Sequence, residues 1–259
     1  MGDMIKSINS LLENTGGIFN LFLSSLYYFK DSLDNRSKVF YQVINIGNNT
    51  IPVAALISLF IGGVLALQTG PQLAQFGLEE NIGGLVGLSM VKELGPVMAS
   101  ILVAGRVGSA MTAEIASMKV YDEIDALKTM DIDPVRYLVM PRLIATIFAL
   151  PILVLFMDFI GWYGGAIVSA VNQQIHIPYV IYFKNLKEYI EILDVINGLV
   201  KSIFFGVLIT SICCYVGLNT KGGPREIGNS VTRAVVVSFI TILVADYFIT
   251  RFLILVGLD

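Results

Sequence analysis

Five apolar stretches, each long enough to cross a lipid bilayer, limit the fold of this chain more than any other feature. They cover about 48–69, 84–118, 138–172, 195–218 and 230–257. A membrane-spanning helix needs about 20 mostly apolar residues and satisfies its own backbone hydrogen bonds inside the hydrocarbon. Only 14% of the 259 residues are charged, against about 25% in soluble domains. The sequence therefore predicts an all-α integral membrane protein with five transmembrane helices.

The first 40 residues differ in character from the membrane domain that we assign to 41–259. Apolar residues there recur at spacings of three, four and seven among polar ones: Ile5, Ile8, Leu12, Phe19, Phe22 and Leu26. This periodicity is typical of an amphipathic helix, and its apolar part over 19–29 is too short to span a bilayer. We expect a helix lying in the membrane interface, with a disordered tail as the alternative. No cleaved signal peptide is apparent at this end.

The positions of the basic residues predict the orientation of the chain, because cytoplasmic segments carry the excess of Lys and Arg. With a cytoplasmic N-terminus, eleven of the seventeen basic residues are cytoplasmic: Lys6, Lys30, Arg36, Lys38, Lys119, Lys128, Arg136, Arg142, Lys221, Arg225 and Arg233. The reverse orientation would place this excess on the wrong side. We therefore predict that the N-terminus is cytoplasmic and that the C-terminus lies on the opposite side.

Several functional classes find no support in the sequence. A net charge of −3 gives no indication of nucleic-acid binding. The two cysteines, Cys213 and Cys214, are adjacent in an apolar run, and His176 is the single histidine, so no metal site is predicted. The chain has no GxxxxGK[ST] phosphate loop and no constellation for hydrolysis. We predict that it is not an enzyme, binds no cofactor, and takes any energy for transport from a partner.

The second apolar stretch carries charges that membrane helices normally avoid. Lys92 and Glu93 stand directly before Gly95-Pro96, and a charge at the bilayer centre costs about 2.5–3.5 kcal/mol on insertion scales. Proline removes a helical hydrogen bond and kinks a helix, so a break beside charges indicates a polar-lined opening. For Lys92, and for Lys201 at similar depth, snorkelling to the interface is the alternative.

Small residues recur at every fourth position of the same stretch, along two neighbouring ridges: Gly105, Ser109, Ala113 and Ser117, and Ser100, Ala104 and Gly108. This spacing keeps each ridge on one helix face and lets another helix approach closely. We therefore expect the face to be buried against protein. Arg106 lies beside it and needs a partner, for which Asp158 and Asp246 are the intramembrane candidates. An ion pair and a direct contact with substrate both stay open for Arg106, and Glu114 is a candidate solvated residue near the inner boundary.

The connection between the second and third stretches, KVYDEIDALKTMDIDP, predicts a short amphipathic helix over about 119–132. Val120, Ile124 and Leu127 fall at steps of four and three, while the acidic residues face elsewhere. Asp133-Pro134 then supplies a cap and a first-turn proline for the third span.

The block from Lys92 to Ala145, KELGPVMASILVAGRVGSAMTAEIASMKVYDEIDALKTMDIDPVRYLVMPRLIA, closely resembles the MlaE/YrbE family of ABC-transporter permeases. The similarity covers about 60–257 through four further stretches: Gly62–Gln68, Trp162–Gly165, Lys201-Ser202 and Gly222–Val237. The resemblance implies a homodimer with one interfacial helix and five transmembrane helices per subunit. It also implies two copies of a cytoplasmic ATPase, which bind ATP and magnesium, and a periplasmic ring of MCE-domain proteins. The expected activity is movement of phospholipids between the bacterial inner membrane and a periplasmic carrier.

The resemblance also implies roles for individual residues. It places an outward-facing lipid cavity at Leu65, Gln72, Leu73, Phe76, Glu93 and Leu94. Lys92, Lys201 and Asp246 match polar positions of the family and, with Arg106, are the candidate gate or structural charges. The acidic amphipathic segment corresponds to the family's coupling helix, where the ATPase would contact Val120, Glu123, Ile124, Leu127 and Met130.

Two other functions are the alternatives, namely a secondary transporter or channel that works alone, and a membrane scaffold for an envelope complex. The sequence shows no internal repeat and no row of proton-relay residues, which counts against the first. The segment that resembles a coupling helix counts against both.

Overall fold

A computed structural model describes residues 16–25, 27–28, 36–48, 50–173 and 175–257. Within these residues every regular element is a helix. The first is α1, residues 16–25, and the second is α2, Arg36–Asn48. Most of the amphipathic segment predicted for the N-terminal 40 residues lies outside the described residues, so its interfacial position stays a prediction.

Among the described residues, five helices are long and apolar enough to cross a membrane, which confirms the predicted all-α membrane fold. They are α3 (Ile51–Gln75), α4 (Glu79–Val120), α6 (Val135–Val171), α8 (Ile192–Leu218) and α9 (Pro224–Val256). Two shorter helices connect them, α5 (Glu123–Thr129) between α4 and α6, and α7 (Tyr179–Tyr189) between α6 and α8. The chain is therefore a multi-pass membrane protein.

Two of the spanning helices contain π-helical turns, at Met90–Leu94 and Ala104–Gly108 in α4 and at Val135–Val139 in α6. The first turn directly precedes Pro96, and the Gly95 N–H donates to the carbonyl of Met90, five residues back. The wider turn accommodates a residue that lacks an N–H and would crowd a regular helix. The break predicted at Gly95-Pro96 is thus a π-turn within a helix that continues.

The chain divides into two compact units. The first unit comprises Met1–Ile46, Val103–Phe148 and Phe205–Ile242, and the second comprises Gly47–Leu102, Ala149–Phe204 and Leu243–Asp259.

In the first unit, helices α4, α5, α6 and α8 share a buried core of Ile115, Ile124, Leu138, Val139 and Cys214. Gly108 lets α8 approach α4 closely, because a Cβ atom there would lie 2.8 Å from Cys213 Sγ. The Thr112 hydroxyl beside it donates to the carbonyls of Gly108 (2.9 Å) and Cys213 (3.2 Å). One small-residue ridge of α4 therefore packs on α8.

The other ridge of α4 is less enclosed within the first unit. A Cβ atom on Gly105 would lie 3.5 Å from the Phe239 ring of α9, an ordinary contact distance. Ser109 and Ala113 are half-buried, whereas Ala104 on the first ridge is 0% exposed. Of the two ridges predicted to be buried, the one through Ala104 and Gly108 is the more fully enclosed.

In the second unit, helices α3, α4, α6 and α7 and the segment before α7 contribute a larger core: Ala66, Ile82, Val86, Met90, Ala166, Ile175, Ile177, Tyr182 and Leu186. Helices α3 and α6 approach each other at backbone level. Gly62 faces the carbonyl of Gly161, and Gly164 faces the carbonyl of Leu59, so a side chain at either glycine would overlap the opposite backbone. The Ser58 hydroxyl donates to the Met157 carbonyl and links the same two helices.

Candidate functional site

A charged centre in the second unit surrounds Lys201 of α8, whose side chain is 1% exposed. Its Nζ lies 2.8 Å from Glu93 Oε1, 2.8 Å from the Lys92 carbonyl oxygen and 3.6 Å from Asp246 Oδ1. Thr250 donates to the same Glu93 oxygen at 3.1 Å. A charge within a membrane segment normally pairs inside the protein, and this ammonium has two carboxylates and a carbonyl. Lys201 therefore does not snorkel to the interface.

The sequence explains why the Lys92 carbonyl can accept a hydrogen bond from Lys201. In a regular α-helix it would accept from the N–H of residue 96, and Pro96 has none. Gly198, one turn before Lys201, lets α8 come close enough, since a Cβ atom there would lie 2.5 Å from the Val91 carbonyl oxygen. Pro96 on α4 and Gly198 on α8 thus determine which carbonyl accepts the hydrogen bond from Lys201.

Lys92 is held by a second ion pair in the same unit. Its Nζ lies 3.1 Å from Asp194 Oδ1, with the two side chains 30% and 11% exposed. Asp194 also accepts the Glu191 N–H at 3.0 Å, near the start of α8. Lys92 is thus paired within the protein as well, so snorkelling does not describe it. Asp194 was not among the predicted site residues, although an acidic residue in the first turn of a helix is a recognisable signal.

The six residues assigned to a lipid cavity occupy two places. Leu65, Leu73 and Leu94 are half-buried against the core of the second unit, and Leu94 directly follows Glu93 of the charged centre. Gln72 is exposed and Phe76 is 78% exposed, both at the C-terminal end of α3. Leu94 is thus next to Glu93 in sequence, while its side chain packs against the apolar core of the second unit.

An apolar groove of about 330 Å³ lies between α3 and α6. None of the six predicted residues lines it; its lining is Leu59, Phe60, Gly63, Val64, Leu67, Gly164, Ile167 and Val168. The signal that could have located it is the pair of double glycines, Gly62-Gly63 and Gly164-Gly165, because small residues mark close helix contacts in membranes.

Arg142 forms a charged pair in the first unit. The side chain is 4% exposed, its Nη2 lies 2.8 Å from Glu114 Oε2, and its Nη1 donates to the Leu138 carbonyl at 2.9 Å. From its position in the sequence, Arg142 was predicted only as a cytoplasmic charge, and Glu114 as a candidate solvated residue. Glu114 is 59% exposed but paired. The missed signal is the position of Arg142 within the third apolar stretch, where a charge needs a partner.

The candidate partners of Arg106 have different surroundings within the second unit. Asp246 lies near Lys201, as described above. Asp158 is 3% exposed, faces Gly95, and its Oδ1 has no hydrogen-bond partner among the described residues. The acidic partner of the Arg106 side chain stays a prediction.

Helix α5 is fixed to the first unit by its apolar face. Ile124 is 2% exposed within the core, and Leu127 is half-buried beside it. Ile124 was predicted to contact an ATPase, and within this chain its side chain points inward, because an amphipathic helix buries its apolar stripe against its own protein. A direct contact between Ile124 and an ATPase stays a prediction.

Other residues at the ends of α5 are exposed. Val120 is half-buried at the end of α4, Glu123 is exposed, and Tyr121 and Met130 are 61% and 69% exposed. Asp122 and Asp131 have φ angles of 59° and 60°, so a left-handed residue stands at each end of the helix. These two turns direct the exposed side chains away from the core.

One ion pair fastens α5 to the end of α4, and a second lies within α5. Lys119 Nζ lies 2.9 Å from Asp125 Oδ2, and Lys128 Nζ lies 3.2 Å from Oδ1. The hydrogen bond from Lys119, followed by that from Lys128, lowers the pKa of Asp125. At the start of α6, Asp133 Oδ1 accepts the Val135 N–H at 2.7 Å, which is the cap that the sequence predicts. The Tyr28 hydroxyl donates to Asp133 Oδ2 at 2.7 Å, and this hydrogen bond raises the pKa of Tyr28.

Comparison with known proteins identifies the family. The model of the permease MlaE family matches residues 39–252. A probable ABC transporter permease protein of Rickettsia typhi is 43% identical over 217 residues, 84% of this chain and 83% of that protein. A probable ABC transporter permease protein of Synechocystis is 37% identical over 216 residues, 83% of this chain and 81% of that protein. The chloroplastic protein TRIGALACTOSYLDIACYLGLYCEROL 1 of Arabidopsis thaliana is 36% identical over 211 residues, 82% of this chain and 60% of that protein. With these matches across most of its length, the chain belongs to the MlaE permease family.

Proposed function

We propose that this chain is the membrane-spanning permease subunit of an ABC transporter that moves phospholipids between the bacterial inner membrane and a periplasmic MCE-protein carrier. Two copies form the permease, and two copies of a separate cytoplasmic ATPase bind ATP and magnesium and drive it. The N-terminus is cytoplasmic and the C-terminus periplasmic, in accord with the distribution of Lys and Arg.

The observation that carries the proposal is that half-buried leucines and a partly exposed carboxylate occur in the same unit, with Leu94 next to Glu93 in sequence. A phospholipid is an amphiphile, so its site needs an apolar wall for acyl chains beside polar groups for the headgroup. The half-buried Leu65, Leu73 and Leu94 offer such a wall, and Glu93, whose side chain is 40% exposed, offers the polar group next to it. A site for an ion or a small polar solute would not need the leucines.

Two spanning helices support the homodimer in this proposal. In the most apolar part of each helix, only 28% of α3 and 11% of α9 is buried within the chain. Such faces pack against lipid or against another membrane helix. A second copy of the chain would cover part of them and enclose a cavity for lipid.

The ATPase is proposed to contact the exposed side chains around α5, namely Tyr121, Glu123 and Met130. Ile124, Leu127 and the Lys119–Asp125 ion pair would transmit a displacement of this helix into the core of the first unit. The chain's relationship to proteins named as ABC transporter permeases supports an ATPase partner.

The proposal is tested by reconstituting the chain with its ATPase in liposomes and measuring transfer of a labelled phospholipid to the MCE carrier. We expect ATP-dependent transfer, reduced at least tenfold by Leu94→Gln. The matched control is Leu255→Gln, because Leu255 is 76% exposed at the far end of α9. Transfer without the ATPase would favour a secondary transporter, and an assembled complex without transfer would favour a scaffold. Either result would overturn the proposal.

A further inference from the structure

A pocket of about 350 Å³ in the first unit opens between α2, α4 and α6. Its polar lining includes Ser37, Lys38, Tyr41, Glu114, Tyr137 and Arg142. We propose that this pocket binds a singly charged phosphate ester, supplied by the headgroup of an anionic phospholipid. This inference does not depend on the proposed transport function, because a permanently bound lipid would occupy the pocket whether or not the chain transports lipid.

The volume of the pocket limits the size of the ligand that it can bind. Pockets for small molecules range over roughly 300–1,000 Å³, so this one is near the lower limit. It accommodates a phosphate with a small substituent, while acyl chains would remain in the surrounding bilayer. A headgroup is therefore a better occupant than a complete hydrophobic molecule.

The charges around the pocket match a monoanion. Lys38 and Arg142 contribute two positive charges and Glu114 one negative charge, which leaves an excess of one positive charge among these three. Glu114 pairs with Arg142 at 2.8 Å and neutralises it, whereas Lys38 is exposed and its Nζ lies 3.5 Å from the centre of the Tyr137 ring. A phosphodiester carries one negative charge, so binding it would bring the pocket to neutrality.

Arg142 gives the pocket a fixed polar wall, although Glu114 already balances its charge. Its burial and its hydrogen bond to the Leu138 carbonyl hold the guanidinium in place. Arginine is well suited to phosphate recognition because it presents several N–H donors in a rigid plane.

Exposed aromatic and apolar residues of α2 support a position of the pocket at the membrane interface, which favours a lipid as the source of the phosphate. Phe40 and Tyr41 are 66% and 64% exposed, and Ile44 is 46% exposed on the same helix. Exposed aromatic residues of this kind are typical of the headgroup level of a bilayer. Among lipid phosphates, the charge balance selects an anionic headgroup over a zwitterionic one.

The test uses the full chain in nanodiscs of phosphatidylcholine that contain a small fraction of a photoactivatable phosphatidylglycerol. Crosslinked peptides are identified by mass spectrometry, and unlabelled phosphatidylglycerol, phosphatidylcholine or glycerophosphoglycerol, the deacylated phosphodiester, is added as competitor. We expect crosslinks on α2 and on the first turns of α6 that only phosphatidylglycerol removes. Removal by glycerophosphoglycerol as well would overturn the lipid as the source and make a free phosphodiester the ligand.

The variants distinguish a specific site from general attraction to an anionic surface. Lys38→Gln should weaken the competition by phosphatidylglycerol about fivefold, the effect of about one surface charge. Lys221→Gln, an exposed lysine on the same predicted side of the membrane, is the matched control and should leave it unchanged. Lys38→Arg keeps the positive charge and should bind phosphatidylglycerol as the wild type does. Equal effects of Lys38→Gln and Lys221→Gln, or equal displacement by phosphatidylcholine, would overturn the proposal.

Discussion

Replacing Lys201 by methionine tests whether the charged centre is a coupled unit. The variant loses charge-assisted hydrogen bonds from Nζ to Glu93 Oε1 and to the Lys92 carbonyl, both at 2.8 Å. Each such bond contributes about 1.5–3 kcal/mol, but Glu93 is 40% exposed and regains some solvation. We expect a loss of about 3 kcal/mol in the free energy of unfolding.

The companion variant Glu93→Gln leaves the buried ammonium with the Lys92 carbonyl and with Asp246 at 3.6 Å. Its expected cost is about 2 kcal/mol, below the usual 3–5 kcal/mol for breaking a buried pair, because these acceptors remain. The double variant has neither the ammonium nor the Glu93 charge, so it should cost about 3 kcal/mol rather than the sum of 5. The coupling energy is therefore about 2 kcal/mol.

The assay is unfolding by SDS titration in mixed micelles, followed by tryptophan fluorescence. Trp162 is the only tryptophan and packs against the core of the second unit, so the signal reports the unit that holds the charged centre. Lys184→Met, at an exposed lysine on α7, is the control for loss of a positive charge. A coupling energy below about 0.5 kcal/mol would refute the reasoning, since independent sites are additive within that margin.

Three further predictions concern packing, coupling and pH. Gly164→Ala should destabilise the chain by about 1–3 kcal/mol because the new methyl group overlaps the Leu59 carbonyl, whereas Gly228→Ala, with open space around it, should be neutral or slightly stabilising in the same titration. Ile124→Asp should lower the thermal midpoint of the purified chain, whereas Met130→Asp should leave the midpoint unchanged and reduce co-purification of the ATPase; the reverse pattern would contradict the orientation of α5. The lowered pKa of Asp125 means that its carboxylate stabilises the folded state above the ordinary value of 3.8, and that this contribution is lost as the pH falls through the folded-state pKa. At a pH below the folded-state pKa of Asp125, the wild type should therefore be no more stable than Asp125→Asn. Thermal unfolding at a series of pH values measures this difference.

Composition and helix length were enough to predict the spanning helices. The fourth span ends at Leu218 as expected, because an apolar run has a clear end. Helix α9, however, begins at Pro224, six residues before the predicted 230. A proline and an acidic residue in the first turn can start a helix in polar sequence, and hydropathy does not register that signal.

The side-chain pairs could not be predicted from sequence. Lys201 and Glu93 are 108 positions apart, and Arg142 and Glu114 are on different spanning helices. A lysine near the end of an apolar stretch fits snorkelling and internal pairing equally well until the packing of the helices is known. The apolar groove and the inward direction of Ile124 depend on the same packing, so they too became visible only in the structure.

The hydrogen bond from Lys201 to the Lys92 carbonyl has a consequence for how such sequences vary. The acceptor exists because position 96 contributes no N–H, and the donor is more than a hundred residues away on another helix. Whether the lysine has this acceptor therefore depends on two codons that are distant in the gene. In a relative in which residue 96 regains an N–H, that N–H would compete with the lysine for the carbonyl and weaken the hydrogen bond between the helices. We expect substitutions at these two positions to arise together, as a linked pair.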